Sequence, residues 1–215
     1  MKRRSAPVRF SGSIRRGRQA GPLKRETLWP GMKVGLFGGS FDPVHAGHLH
    51  VAQSALKYLG LDRIWWIVSP QNPLKMREAG AYEDRLQKVE QVATNPRMVV
   101  SDIENRTGIK TTADLIQSLK TRHPGVRFVW IMGADNLQQF HRWYRWQDIA
   151  GTVPIAVIAR PQNPIGARLS PAARAMSAHR ITETHAKVLA ERGAPGWTYL
   201  TEPLHTEASS RLRDT

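Results

Sequence analysis

The sequence predicts a single-domain, doubly wound α/β fold on a parallel sheet. Three observations carry that prediction. Short, nearly continuous apolar runs recur along the chain, as strands covered on both faces require. They are separated by helical patterns of ten or more residues, which argues for parallel βαβ connections. The first run ends in Gly-Gly just ahead of a helical stripe, where sheets of this kind place their ligands.

Taken in order, "KVGLFGG" (33–39) reads as a buried strand ending in a sharp turn. Leu49, Ala52, Leu56 and Leu59 then follow a helical stripe, with Gly60 as its stop. "RIWWIVS" (63–69) is the second strand and "PQNPLK" (70–75) a proline-bounded loop. Residues 82–94 are expected to be helical, with Leu86, Val89 and Val92 or Ala93 inward. "RMVVSD" (97–102) suits a strand, and "TTADLIQSLKTRH" a helix capped by Thr111 or Thr112. "VRFVWIMG" (126–133) and "VPIAVIAR" (153–160) are strands, residues 171–192 are expected to be mostly helical, and "GWTYLT" (196–201) is a last strand.

Composition narrows the function classes. With 40% hydrophobic and 23% charged residues over 215, the chain is ordinary for a globular protein and long enough for a proper core. No apolar run approaches bilayer length, so no membrane partner is expected. The absence of cysteine excludes disulfides and thiolate metal sites and suits a reducing compartment; a cytoplasmic location is expected. The net charge of +15 would ordinarily raise nucleic acid as a partner. Over half of it, +8, lies in residues 1–28 (Lys2, Arg3, Arg4, Arg9, Arg15, Arg16, Arg18, Lys24 and Arg25 against Glu26), leaving +7 for the rest. Residues 1–31 are therefore expected to be a dispensable, disordered basic tail, with Met32 as an alternative start, and residues 32–215 the domain. A transit peptide and a nucleic-acid arm are the lesser readings.

The chemistry concentrates in "GGSFDPVHAGH" (38–48). Glycines let the backbone approach an anion, and the start of the following helix favours negative charge. His45 and His48, three apart, would project on one face and donate hydrogen bonds to phosphate oxygens. A zinc pair would need a third ligand, and neither cysteine nor "HExxH" is present. P-loop and GxGxxG signatures are absent too. The remaining alternative is a pair of surface histidines beside a structural turn. It competes with Gly-Gly, a proline and a second histidine in one passage. His50 reads as bystander surface.

The passage resembles the signature of the nucleotidyltransferase superfamily, whose (His/Thr)-x-Gly-His element stands here as His45-Ala46-Gly47-His48. "GADNLQQFHRWYRWQDI" (133–149), the Arg-Pro at 160–161 and "EASSRLR" (207–213) narrow the likeness to nicotinate-mononucleotide adenylyltransferases over residues 33–213. The resemblance implies a Rossmann-like fold and adenylyl transfer from ATP to nicotinate mononucleotide, with Mg²⁺ bound through the ATP phosphates. A related enzyme preferring nicotinamide mononucleotide is the runner-up. The resemblance also implies roles. Gly38, Gly39, Ser40 and Phe41 would form the ATP turn, with His45, His48 and Lys75 on its phosphates. Ser209, Ser210 and Arg213 would hold the β- and γ-phosphates. Gly133 and Asp135 would line the ribose region and Arg160 the adenine. Trp143 would stack on the pyridine ring, and Thr112 and Tyr144 would offer N–H groups to its carboxylate. Glu207 and Ala208 depart from the family's carboxyl-end element, whereas Ser210 keeps a hydroxyl.

Overall fold

Among the described residues, seven strands, every neighbouring pair parallel, make one sheet in the order β3-β2-β1-β4-β5-β7-β6. They are β1 (Lys33–Gly39), β2 (Arg63–Val68), β3 (Met98–Ser101), β4 (Arg127–Gly133), β5 (Ile155–Ile158), β6 (Arg180–Ile181) and β7 (Trp197–Leu200). The structure is a computed structural model that describes residues 26–70, 80–159 and 164–201. The helices are α1 (Ala46–Tyr58), α2 (Tyr82–Val92), α3 (Ile103–Thr107), α4 (Thr112–Arg122), α5 (Ala134–Gln139), α6 (Trp146–Thr152), α7 (Pro164–Arg168), α8 (Pro171–Ala175) and α9 (Leu189–Arg192).

The doubly wound arrangement follows from strands apolar on both faces. Along β2, Trp65 and Ile67 join one buried cluster with residues of α4, α5, α6 and α8. Ile64, Trp66 and Val68 join the other, with α1, α2 and α9. The strand order reverses between β1 and β4, which pair directly with Phe37 opposite Ile131. A crevice beyond the carboxyl ends of these two strands is where open α/β sheets bind ligands. The loops leaving β1 and β4 therefore define the place to look for chemistry.

The long strands and helices lie where periodicity puts them. Helix α1 ends on Leu59 with Gly60 at φ +60, the left-handed residue a helix stop needs. Thr111, not Thr112, caps α4, its hydroxyl accepting from the Asp114 N–H at 3.2 Å. The expected long helix over 171–192 is instead broken into α8, two 3-10 turns, α9 and the two-residue edge strand β6, which pairs with Trp197 and Thr198. The Thr182 and Thr184 hydroxyls bond the His185 ring, local bonds of the kind that compete with helix. Residues 26–31, assigned by sequence to the tail, already touch the domain. The Glu26 carboxylate bonds Ser101 and Arg106, and Leu28 packs on the core.

Candidate active site

The turn leaving β1 is built on packing from below. A Cβ on Gly38 would lie 2.6 Å from the Trp130 indole, and one on Gly39 would lie 3.2 Å from the Phe41 ring. The Trp130 indole thus demands glycine at 38 independently of any ligand above, and the Phe41 ring leaves little room for a side chain at 39. Phe41 takes a left-handed φ of +47, a conformation costing an L-residue roughly 1–2 kcal/mol. Burial offsets that cost: its ring is covered, edge-on to Phe37 at 5.3 Å and tilted on Trp66 at 5.3 Å. Backbone strain held by packing is a common feature of ligand sites.

The turn delivers His45 to the N-cap of α1 and His48 to its first turn. The His45 ring Nδ1 accepts from the Gly47 N–H at 3.1 Å, and the His48 Nδ1 accepts from the His45 N–H at 3.2 Å. The pair forms a reciprocal capping box with imidazoles in place of the usual hydroxyl and carboxylate. Because both Nδ1 atoms accept, the ring proton of each sits on Nε2. The rings lie 3.9 Å apart, and His48 rests edge-on against Phe41 at 5.2 Å. Two imidazoles, each with Nε2 as its donor nitrogen, thus stand together at a helix start whose first turn holds no acid. The first-turn N–H groups of Gly47 and His48 are satisfied internally, by the His45 ring and carbonyl. The rings, more than the helix amides, are what this turn offers an anion.

Behind the turn lies Arg85 of α2, 2% exposed. Its Nη1 donates to the Ser40 and Ser69 carbonyls at 2.6 and 2.8 Å, Nη2 to Pro70 at 2.7 Å and Nε to Gly80 at 2.9 Å. Hydrogen bonds from a charged donor contribute about 1.5–3 kcal/mol each, enough to keep the cation out of water. Glu104 of α3, 6% exposed, bonds the Ser69 side chain; burial pushes its carboxyl above the ordinary range, and the Ser69 bond pulls back less. Tyr82, one turn before Arg85, bonds the Val68 carbonyl, and burial pushes its phenol up to about 12.

Across the crevice, Gly133 ends β4 and caps α5, with Asp135 exposed in the first turn of that helix and making no side-chain cap. Trp143 is half-buried, edge-on to Trp130 at 6.1 Å and Phe140 at 5.4 Å, and its Nε1 is buried with no acceptor among the described residues. Tyr144 is 64% exposed. Arg145, at φ +52, reaches Asp148 at 2.5 Å and Asp114 at 3.7 Å, which draws the 143–145 corner toward the start of α4, where Thr112 lies. Trp130 touches both halves of the site, beneath Gly38 on one side and against Trp143 on the other.

The Cytidylyltransferase-like family model matches residues 36–210. A probable nicotinate-nucleotide adenylyltransferase of Parvibaculum lavamentivorans is 50% identical over 193 residues, covering 89% of this chain and 96% of that protein. One of Roseobacter denitrificans is 46% identical over 183 residues, covering 85% and 92%. The chain belongs to the nicotinate-nucleotide adenylyltransferase family. The Plasmodium falciparum nicotinic acid mononucleotide adenylyltransferase complexed with NaAD shares the fold, with a TM-score of 0.61 over 80% of this chain and 76% of that one at 17% identity.

In this adenylyltransferase, the residues singled out by sequence fall into two groups around the β1/β4 switch point. Gly38, Gly39, Ser40, Phe41, His45 and His48 form the first; Gly133 and Asp135 at the end of β4, with Trp143 and Tyr144 beyond α5, form the second, tied by the Arg145–Asp114 ion pair to α4, which Thr112 opens. Lys75, Arg160, Ser209, Ser210 and Arg213 lie outside the described residues. His50 is half-buried within α1, not open surface. Arg85 and Glu104 escaped the sequence reading. The available signal was an arginine on the buried stripe 82-85-89 of an otherwise ordinary amphipathic helix.

Proposed function

We propose that this chain transfers the adenylyl group of ATP to nicotinate mononucleotide, giving nicotinate adenine dinucleotide and pyrophosphate, a step of NAD biosynthesis. The observation that carries the reading is the His45–His48 pair, two Nε2–H donors at the switch point of the sheet. The names of the relatives point the same way.

In this reading a phosphate oxygen of the mononucleotide attacks the α-phosphorus of ATP. The new P–O bond forms as the bond to the bridging oxygen breaks, and pyrophosphate leaves with that electron pair. The attacking phosphate is already ionised, so no protein nucleophile or base is required. What the protein supplies is in-line positioning and donors aimed at developing charge. His45 and His48 fill that role on the ATP phosphates, with His48 nearest the α-phosphate, and their backbone-accepting Nδ1 atoms leave Nε2 as the donor of each ring. The resemblance adds Lys75, Ser209, Ser210 and Arg213 on the phosphates, Gly133 and Asp135 at the ribose and Arg160 at the adenine. Trp143 stacks on the pyridine, and the N–H groups of Thr112 and Tyr144 meet its carboxylate. Thr112 is the first residue of α4, so its N–H has no acceptor within the helix.

Mg²⁺ belongs to this reading as part of the ATP substrate, where it neutralises phosphate charge. Mg²⁺ commonly binds through phosphates and waters with few protein ligands, and among the described residues no group of three or more His, Cys, Asp or Glu is arranged to hold a metal. No described helix is long and apolar enough to cross a membrane. With a chain free of cysteine, the reading places the reaction in the cytoplasm.

Label tracing tests the reaction. With ATP labelled at the α-phosphorus, the label should enter a dinucleotide only when nicotinate mononucleotide is present, and γ-label should leave as pyrophosphate. Release of α-label as AMP, or no dependence on the mononucleotide, would overturn the reading.

A further inference from the structure

Two buried ionisable side chains near the candidate site have no part in the chemistry above, and both end on the same residue. Glu104 bonds the Ser69 side chain, and Arg85 bonds the Ser69 carbonyl. Arg85 carries the stronger implication. It sits on the apolar face of α2, where a hydrophobic residue would cost far less to bury. Its four hydrogen bonds run to backbone carbonyls on three separate stretches: Ser40 in the β1–α1 turn, Ser69 and Pro70 at the exit of β2, and Gly80 ahead of α2. Among the described residues no carboxylate lies within ion-pair distance of it; the guanidinium is held by backbone carbonyls and by the face of the Tyr82 ring, 5.4 Å from its centroid. The Gly80 N–H in turn donates to Asp42 Oδ2 at 3.2 Å, tying the third stretch back to the first. A planar fork with fixed donor angles sets the spacing of such carbonyls in a way that a flexible ammonium does not.

We infer that Arg85 is a positioning residue for the proposed adenylyl transfer: its guanidinium locks the turn that carries His45 and His48 to the exit of β2 and the approach to α2. The inference rests on the reaction proposed above. Arg85 touches no substrate in this account; it acts through Ser40 and the turn. Its removal lets the turn and its histidine donors drift from the reacting phosphorus, while the ribose, adenine and pyridine contacts assigned above stay in place. The loss therefore falls on kcat more than on KM.

The test uses the full chain and pyrophosphate release from ATP and nicotinate mononucleotide, with Arg85→Lys and Arg85→Ala beside the wild type. Calorimetric titration with ATP counts competent sites in each. The expected result for Arg85→Lys is a kcat lower by about 100-fold, the loss a displacement of about 1 Å produces. KM for both substrates should stay within threefold, with ATP binding at close to one per chain. Arg85→Ala should regain activity on adding guanidinium chloride at low millimolar concentration, whereas ammonium should give none. A kcat for Arg85→Lys within threefold of wild type overturns the inference. So does a fall in kcat matched by a fall in ATP stoichiometry. Variants that all fail to fold assign Arg85 to the fold alone and overturn it too. A wild-type protein that releases no pyrophosphate would instead defeat the proposed reaction itself, and this inference with it.

Discussion

His45 and His48 cap one helix between them: the His45 backbone N–H donates to the His48 Nδ1 at 3.2 Å, while the His45 Nδ1 takes the Gly47 N–H at 3.1 Å. One set of bonds satisfies the helix start and leaves Nε2 as the donor nitrogen of each ring. Structure and chemistry therefore share atoms, and they can be separated by choosing what replaces the ring.

His48→Gln should keep the cap, since the amide oxygen of a glutamine at this position can accept from the N-cap N–H, while its amide N–H donors replace the rigid imidazole Nε2–H at a different reach and angle. Its Tm should stay near wild type while kcat falls about 100- to 1000-fold, the usual loss for one charge-stabilising donor. His48→Ala should lose both cap and donor, with about 1 kcal/mol of stability gone in addition. Nucleotide affinity should change little in either. Near-normal turnover in His48→Ala would remove the ring from the mechanism.

Gly38→Ala should destabilise the protein by about 1–3 kcal/mol, because its Cβ would lie 2.6 Å from the Trp130 indole in a closed core. Trimming that indole should relieve the clash, so Gly38→Ala with Trp130→Phe should unfold in denaturant at a higher midpoint than Gly38→Ala alone. Two effects that simply add would show that the turn, not the tryptophan, demands the glycine.

Trp143→Ala should raise KM for the mononucleotide about tenfold and leave KM for ATP within twofold. Aromatic contacts of this kind contribute about 0.5–1.5 kcal/mol beyond the area they bury. Steady-state kinetics with each substrate varied in turn decides it. An equal rise for both substrates would make Trp143 a general packing residue beside Trp130 and Phe140.

Glu104 gives a pH signature. Burial raises its folded pKa above the unfolded value, so the folded state holds the proton more tightly. Stability from this group is therefore greatest at acid pH and declines as pH rises from the ordinary carboxylate value through the raised one. Glu104→Gln, which cannot ionise, should have a higher Tm than wild type at pH 8, and the gap should close at pH 4. Thermal melts at the two pH values check this. A gap that is constant across pH would mean that the ionised form carries no cost.

Removing residues 1–25 should leave both turnover and Tm unchanged, whereas a cut after residue 28 should lower Tm. The second cut takes away the Glu26 bonds to Ser101 and Arg106 and the Leu28 contact with the core. If the 1–25 deletion instead abolished activity or a salt-sensitive affinity for RNA or DNA, the basic segment would be part of the function.

What could be read from sequence was whatever repeats locally. The strands of this sheet are apolar on both faces, so "RIWWIV" and "RFVWIMG" announce themselves without a partner, and the His45-x-x-His48 spacing fixes one helix face. Three kinds of feature have no such signature. Arg85 is a charge on an apolar stripe, and only the carbonyls of Ser40, Ser69, Pro70 and Gly80 converging on it make burial tolerable. Strand β6 exists because β7 offers it an edge, not because Arg180-Ile181 prefers to extend. Gly38 looks like a phosphate-binding glycine, yet its neighbour is Trp130, 92 positions along the chain and adjacent only through the pairing of β1 with β4. Each depends on contacts between segments far apart in sequence.

The central claim is adenylyl transfer to the acid mononucleotide, and one assay meets it directly: pyrophosphate release by the purified chain with ATP and either nicotinate or nicotinamide mononucleotide. Release should match dinucleotide formed, and kcat/KM should be clearly higher for the acid, whose carboxylate meets the start of α4. Equal values for the two would contradict the substrate assignment, and no release with either would contradict the reaction.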